Sequence, residues 1–242
     1  MRYILGIDTA NRFGSVALAV DGSASGWGTL DPAEHSSGLS RASAHLLRER
    51  DLTLRDLSGI AVSQGPGSFT GLRIGLAWAK GACFGLPAKL TLVSTHEANA
   101  YRHRSARGLI ATVLQGERGQ VQASLWSAGT QPGSLWGPER ISEEDLADAL
   151  RKAAGPKNAA ISVAAPDLKP EIRELLEEAG FVLLDGRPGS RGGTGGGADA
   201  TPPTAAAVAE LGDRNLLAGR VEDLADAAPS YGRAPNARKP SS

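Results

Sequence analysis

The sequence predicts an α/β protein of two lobes, each built on a mixed β-sheet flanked by helices. Residues 1–85 carry strand and helix patterns in the order β-β-β-α-β-α, which differs from the strict β-α-β alternation of a dinucleotide-binding domain. A second set of similar patterns starts at Gly108. We therefore divide the chain into a first lobe at 1–105, a degenerate second lobe at 106–203, a C-terminal helix and end segment at 204–231, and a basic tail at 232–242.

The first lobe opens with a β-hairpin. Two apolar runs, Tyr3–Asp8 and Ser15–Val20, are predicted strands, and Asp21-Gly22 is a turn signal after the second. Apolar spacing then predicts a strand near 26–30, a helix over 39–51, a strand over 57–63 and a long helix ending near Gly85.

The second lobe repeats this pattern less clearly. Strands are predicted over 109–114, 121–126, 159–164 and 181–184, and helices over 142–154, 170–179 and 204–217. Ser142 and Asp145 fit a capping box for the first of these helices, and Pro170 and Gly180 fit the two ends of the second. Residues 187–203 contain almost no apolar side chains and are expected to form a mobile loop.

Composition limits the possible partners and compartment. Lys and Arg together number 26, as do Asp and Glu, so the chain has no overall field that attracts nucleic acid or a membrane surface. The single Cys83 excludes an internal disulfide and a cysteine zinc cluster, as is typical of a reducing compartment. We expect a cytoplasmic protein without membrane contact, which meets RNA locally or through a partner.

The most informative segment is GPGSFTGLRIG, at 65–75, which follows a predicted strand and opens the long helix. Ser68 and Thr70 are suitable N-caps, and a helix N-terminus can receive an anion. A phosphate-binding P-loop, however, ends in lysine followed by Ser or Thr, whereas Leu72-Arg73 stands here. The pattern therefore disfavours a nucleotide loop.

Small residues recur every four positions along this helix, at Gly71, Gly75, Ala79 and Cys83. Glycine inside a helix costs about 1 kcal/mol relative to alanine, and close approach of another helix would compensate for that cost. The approaching helix could be the one at 39–51 of the same chain or a helix of another subunit, and the spacing alone leaves both open.

The motifs ILGIDTA, GSVALAV, PAEHSS, GPGSFTGLRIGLAWAKG, Val93-Ser94-Thr95 and APSYGR closely resemble the TsaB (YeaZ) family. The resemblance implies an actin/Hsp70/sugar-kinase (ASKHA) fold and a part in making threonylcarbamoyladenosine next to the anticodon of tRNA. It implies a non-catalytic scaffold that pairs with and activates the paralogue TsaD, helps to recruit the ATPase TsaE, forms a homodimer when alone and meets tRNA only indirectly.

The resemblance also implies that the helix after GPGSFTG binds the partner. The expected partner-binding residues are Ser68, Phe69, Gly71, Leu72, Gly75, Ala79 and Cys83. On this basis Gly75→Leu is expected to block association and to leave the monomer folded.

The alternative function is that of an ATP-dependent phosphotransferase of the same fold. Asp8 and Thr9 are the candidate cofactor-binding residues, because Asp8 stands where actin-like enzymes place an acid near magnesium. It could equally cap the following turn by accepting from the Thr9 or Asn11 amide. The second lobe carries Gln115 where relatives commonly have an aspartate, which disfavours the enzyme, and we expect no cofactor and little effect of Asp8→Ala on tRNA modification.

A metal site is not expected. The paralogue's helical HxxxH pair, whose spacing lets two imidazoles share one ion, falls at Thr95 and Asn99. His96 and His103 are seven residues apart and suit a shared ion less well.

Nor does a nucleophile, a nucleotide loop or an RNA-binding tail stand out. Cys83 is predicted to be a buried packing residue, and His35 lies beside two serines in a predicted loop. The glycines at 195–197 resemble an adenosine loop but have low-complexity flanks. The basic residues of the tail, Arg233, Arg238 and Lys239, lack an aromatic platform for RNA.

Overall fold

The computed structural model describes residues 1–30, 35–156, 160–185 and 202–231, and these form two five-stranded sheets. The glycines at 195–197, almost all of the predicted loop and the basic tail lie outside the described residues. No helix in the described ranges is long and apolar enough to cross a membrane.

The first sheet has the strand order β3-β2-β1-β4-β5, in which β1 pairs antiparallel with β2 and parallel with β4. Its strands are β1 (Tyr3–Asp8), β2 (Ser15–Val20), β3 (Ser23–Thr29), β4 (Gly59–Gly65) and β5 (Lys89–Ser94). One face is covered by α1 (His35–Arg48) and α2 (Phe69–Cys83), and a short 3₁₀ helix, Leu54–Asp56, precedes β4.

The second sheet repeats this connectivity in the order β10-β9-β6-β7-β8. Its strands are β6 (Leu109–Gln115), β7 (Gln120–Ser127), β8 (Ser134–Ser142), β9 (Ile161–Ala164) and β10 (Val182–Leu183). Its outer face packs on α4 (Leu146–Ala154) and α5 (Pro170–Glu178). Since β6 occupies the place of β1, Gln115 and Asp8 end equivalent strands.

Two helices lie between the sheets, α3 (Thr95–Arg102) and α6 (Thr204–Leu217). The alanine-rich α6 packs on the inner face of the first sheet and approaches it so closely that a Cβ placed on Gly6 would overlap Ala205 O. On the other side, Ala100 of α3 packs with Ile110 and Ala164 of the second sheet. The two lobes therefore share one central helical layer.

The observed elements differ from the predicted ones at the starts of two helices, and some elements were not predicted. The helix predicted over 39–51 already begins at His35, so His35–Ser37 form its first turn rather than a loop. The helix predicted over 142–154 begins only at Leu146, because Ser142 ends β8; Ser142 Oγ accepts from the Asp145 amide within a turn, at 3.2 Å. Neither β8 nor α3 was predicted.

Candidate functional site

A cleft of about 970 Å³ lies between the two lobes. The first lobe contributes the β1–β2 turn and the start of α2, and the second contributes the β6–β7 turn, part of β8 and the β9–α5 turn. Its polar and aromatic lining includes Asn11, Arg12, Ser68, Phe69, Gln115, Glu117, Gln122, Arg140, Asp167 and Tyr231.

Asp8 is buried beneath the cleft, and its carboxylate is used inside the first lobe. Oδ1 accepts from Ser63 Oγ at 2.6 Å and from the Ala10 amide at 3.1 Å, and Oδ2 accepts from Asn11 Nδ2 at 2.8 Å. Loss of solvent raises the pKa of Asp8, which these hydrogen bonds oppose. The carboxylate thus caps the turn, but it accepts from the Ala10 amide and the Asn11 side chain rather than from the expected Thr9 or Asn11 amide. A cofactor role for Asp8 and Thr9 stays a prediction.

The ridge of small residues on α2 faces the interior of its own chain. Gly75, Ala79 and Cys83 are buried, as is Leu72, and only Gly71 is half-buried. A Cβ placed on Gly71 would overlap Thr9 O, and one placed on Gly75 would overlap Thr9 Oγ1. The turn after β1 is therefore the neighbour of Gly71 and Gly75, whereas Ala79 and Cys83 lie in the core cluster that includes side chains of α1. The burial of Gly75, Ala79 and Cys83 inside their own chain does not fit their expected role in binding a helix of another subunit. The expectation that Gly75→Leu leaves the monomer folded stays a prediction.

The face of α2 that remains open carries other residues. Arg73, Ala77 and Gly81 are exposed, and Ile74 and Trp78 are half-buried. A second, more apolar groove of about 450 Å³ runs between this face and α1, and it is lined by Ser40, Ser43, Ala44, Leu47, Leu54, Ala77, Trp78, Gly81 and Ala82. Among the described residues, this side of α2 is open to a partner helix.

An aromatic cluster stands where α2 meets the cleft. Phe69 is 54% exposed, and its ring lies 4.9 Å from that of Tyr231. The Arg73 guanidinium stacks 3.8 Å over Phe69, and its Nε donates to Tyr231 Oη at 2.9 Å. The C-terminal segment is fixed here because the Ser230 amide donates to Gln64 O at 2.8 Å. Ser68, the N-cap of α2, accepts from the Gly71 amide at 3.1 Å.

The second lobe presents its own acid to the cleft, but not at Gln115. Gln115 Nε2 donates to Glu143 Oε1 at 3.1 Å, and Lys169 Nζ holds the same oxygen at 2.7 Å. Glu117 and Asp167 both line the cleft from this lobe, and it is Asp167, in the turn after β9, whose carboxylate accepts from the backbone N–H of Arg12. The sequence-based search for an acid of the second lobe considered only the end of β6, the strand equivalent to β1. Asp167 follows the carboxyl end of β9 instead.

The four positions considered for a metal have separate surroundings. Thr95 and Asn99 are buried, and Thr95 Oγ1 and Asn99 Oδ1 have no hydrogen-bond partner. His96 Nδ1 pairs with Thr112 Oγ1 at 2.7 Å, whereas His103 Nε2 lies 3.2 Å from Asp185 Oδ1. Across the part of the chain that the structure describes, no group of three or more His, Cys, Asp or Glu side chains could hold a metal ion.

Cys83 is buried in the core of the first lobe. Burial raises the pKa of its thiol to about 11, so it is protonated at neutral pH and a poor nucleophile.

The repeated sheet topology with a cleft between two lobes defines an ASKHA-like fold. YeaZ from Pseudomonas aeruginosa has this fold, with a TM-score of 0.69 and 21% identity over 96% of this chain and 100% of that one. Component A of the (R)-2-hydroxyglutaryl-CoA dehydratase of Acidaminococcus fermentans is more distant, with a TM-score of 0.51 and 10% identity over 90% of this chain and 100% of that one. These likenesses establish the fold.

Sequence comparisons find relatives of one named family. The TsaB proteins of Bacillus subtilis (strain 168) and Escherichia coli (strain K12), each described as "tRNA threonylcarbamoyladenosine biosynthesis protein TsaB", are 37% and 35% identical to this chain. The alignments cover 51% and 46% of this chain and 54% and 49% of those proteins, so the chain spans about half the length of the curated relatives it matches. A family model described as "TsaD: tRNA N6-adenosine threonylcarbamoyltransferase" matches residues 31–137. Together with the YeaZ fold, these relatives support the assignment to the TsaB/YeaZ family that the motifs predicted.

Proposed function

We propose that this chain takes part in threonylcarbamoylation of the adenosine next to the anticodon of tRNA, as a non-catalytic scaffold that pairs with and activates a TsaD-type transferase. The observation that carries the proposal is the similarity to curated proteins named for threonylcarbamoyladenosine biosynthesis. The match of residues 31–137 to a TsaD-type model favours a paralogous partner, since related chains of one fold commonly pair.

The open face of α2 is the surface proposed for pairing. Ala77 and Gly81 leave room for a close helix, and the groove toward α1 offers Trp78 as a large apolar contact. At the other end of α2, Phe69 and Arg73 are of the residue types that dominate interface energies. A second copy of this chain would use the same face when TsaD is absent, and a TsaE-type ATPase joins the pair, with tRNA bound through the partners.

The non-catalytic role is supported by the contacts of Asp8 and of Gln115, an amide at the end of the equivalent strand. Asp8 uses its carboxylate for three hydrogen bonds within its own lobe, and Gln115 is tied to Glu143. The rival is an ATP-dependent phosphotransferase, which the size of the cleft favours. The two functions differ in what Asp8→Asn does: a phosphotransferase loses about 10²-fold or more in rate with its essential acid, whereas a scaffold keeps its activity.

The test is reconstitution of tRNA modification from purified TsaD-type and TsaE-type partners, with and without this chain. Ala77→Arg places a long charged side chain on the open face of α2 and should abolish both pairing and modification without lowering the unfolding temperature. Glu174→Arg, on the exposed side of α5, is the control and should change neither. Modification that proceeds equally well without the chain would refute the scaffold role. Normal pairing of Ala77→Arg would remove this face as the interface.

A further inference from the structure

The β1–β2 turn and the β9–α5 turn face each other across the cleft. The backbone N–H of Arg12, in the first, donates to Oδ2 of Asp167, in the second. A backbone N–H that points into a cleft is a natural donor to an anion, because turn amides concentrate partial positive charge. Here the anion comes from the opposite lobe of the same chain.

The surroundings of Asp167 disfavour an ionised carboxylate unless other contacts stabilise its charge. Burial and the negative charges of Asp8, at the end of β1, and Asp185, after β10, raise the pKa of Asp167. The Arg12 amide and the Arg12 guanidinium oppose that rise. Asp167 is therefore held between two like charges by its contacts with the β1–β2 turn.

We propose that Asp167 is a built-in anion that occupies the β1–β2 turn and keeps the cleft closed to phosphate-bearing ligands. The cleft volume of about 970 Å³ falls within the range of small-molecule sites, and Arg12 and Arg140 line it. A phosphate that approached the β1–β2 turn would compete with Asp167 for the Arg12 amide and would meet the charge of that carboxylate. The inference rests on the proposed function, because it explains how a chain with this fold does no phosphoryl chemistry.

The first experiment measures binding of inorganic pyrophosphate and of Mg-ATP to the full chain by calorimetry. Wild type should show no saturable binding in the low millimolar range, and Asp167→Ala should bind at least tenfold more tightly. Asp167→Asn should gain less, because its amide oxygen still accepts from Arg12. Glu117→Ala removes another carboxylate from the same cleft and should leave binding as in wild type, which separates position from charge.

The second measurement is hydrogen exchange of the Arg12 amide by NMR. It should be protected in wild type and exchange freely in Asp167→Ala. Fast exchange in wild type, or wild-type pyrophosphate binding as tight as that of Asp167→Ala, would overturn the proposal. So would equal gains for Glu117→Ala and Asp167→Ala. If Asp167→Ala does not fold, the proposal is tested by ligand binding to Asp167→Asn and by the exchange rate of the Arg12 amide in wild type.

These results are independent of the scaffold test. A chain that is dispensable for tRNA modification can still have a protected Arg12 amide, and an essential one can lack it. Failure of the inference and failure of the proposed function are therefore distinguishable.

Discussion

The turn after β1 presses Thr9 against the glycines of α2, and this contact sets what position 75 can hold. Gly75→Ala should destabilise the fold by about 1–3 kcal/mol, because its Cβ would overlap Thr9 Oγ1 and the helix would have to shift. Gly81 lies on the same helix, and a Cβ added there would meet no atom within 4 Å, so Gly81→Ala should stabilise by about 1 kcal/mol. Urea unfolding measures both, and equal effects would refute the contact.

His96 is the buried side chain whose charge state should show most clearly in stability. Nδ1 pairs with Thr112 Oγ1, Nε2 has no partner, and burial lowers the pKa from 6.5 to about 4. Between these values the unfolded chain binds the proton and the folded chain does not, so stability falls as the pH falls from 6.5 to 4, by about 3 kcal/mol. The difference in unfolding free energy between wild type and His96→Gln should shrink by that amount between about pH 7 and pH 4. A constant difference would contradict the shift.

At the scale of single residues, the sequence predicted which residues are closely packed better than it predicted which residues they contact. The four-residue spacing of Gly71, Gly75, Ala79 and Cys83 indicated close packing, and three of the four are buried. What packs against Gly71 and Gly75 is Thr9, some sixty residues away along the chain, and no local pattern indicates such a contact. Asp167 was missed for the same reason, since its partner lies in the other lobe.

Among the elements, the C-terminal end of α3 meets the second lobe in a charged contact at Asp185. Asp185 Oδ1 lies 2.6 Å from Arg102 Nη1 and 3.2 Å from His103 Nε2, and Oδ2 accepts from the Ala165 amide at 2.7 Å. Asp185→Ala should cost about 3–5 kcal/mol, because it leaves a largely buried arginine without its partner. The control is Asp148→Ala, whose pair with Arg151 is exposed and should matter little. Thermal unfolding that ranks the two variants equally would contradict this account.

The elements that could be predicted from the sequence are those whose own residues form a pattern typical of a helix or a strand. The alanine-rich stretch at 204–217 predicted α6 with its observed bounds. By contrast, β8 contains Gly137-Pro138 and charged residues and is mostly exposed, so it lacks the alternation of a half-buried strand. The helix α3 is rich in buried polar residues, which its apolar periodicity could not indicate. Both elements depend on tertiary contacts.

The whole molecule is organised around the layer shared by the lobes. The inner face of the first sheet, including Ile4, Ala17 and Ala61, is covered by α6, which comes from the far end of the chain. The segment after α6 also returns to this lobe, because the Glu222 amide donates to Leu90 O at 2.9 Å. A first lobe cut at residue 105 would therefore leave one face of its sheet in water.

We expect residues 1–105 alone to remain unfolded, and their fusion to 202–231 to fold. A short Gly/Ser linker suffices, since Arg102 Nε donates to Pro202 O at 2.7 Å and the two ends are therefore adjacent. Protein NMR should show collapsed amide dispersion for 1–105 and a dispersed spectrum for the fusion. The same fusion with Gly212→Leu should fail, because a Cβ there would overlap Ala61 Cβ and hold α6 off the sheet. A well-dispersed spectrum from 1–105 by itself would mean that the first lobe is stable without α6 and that the shared layer is not what binds the molecule together.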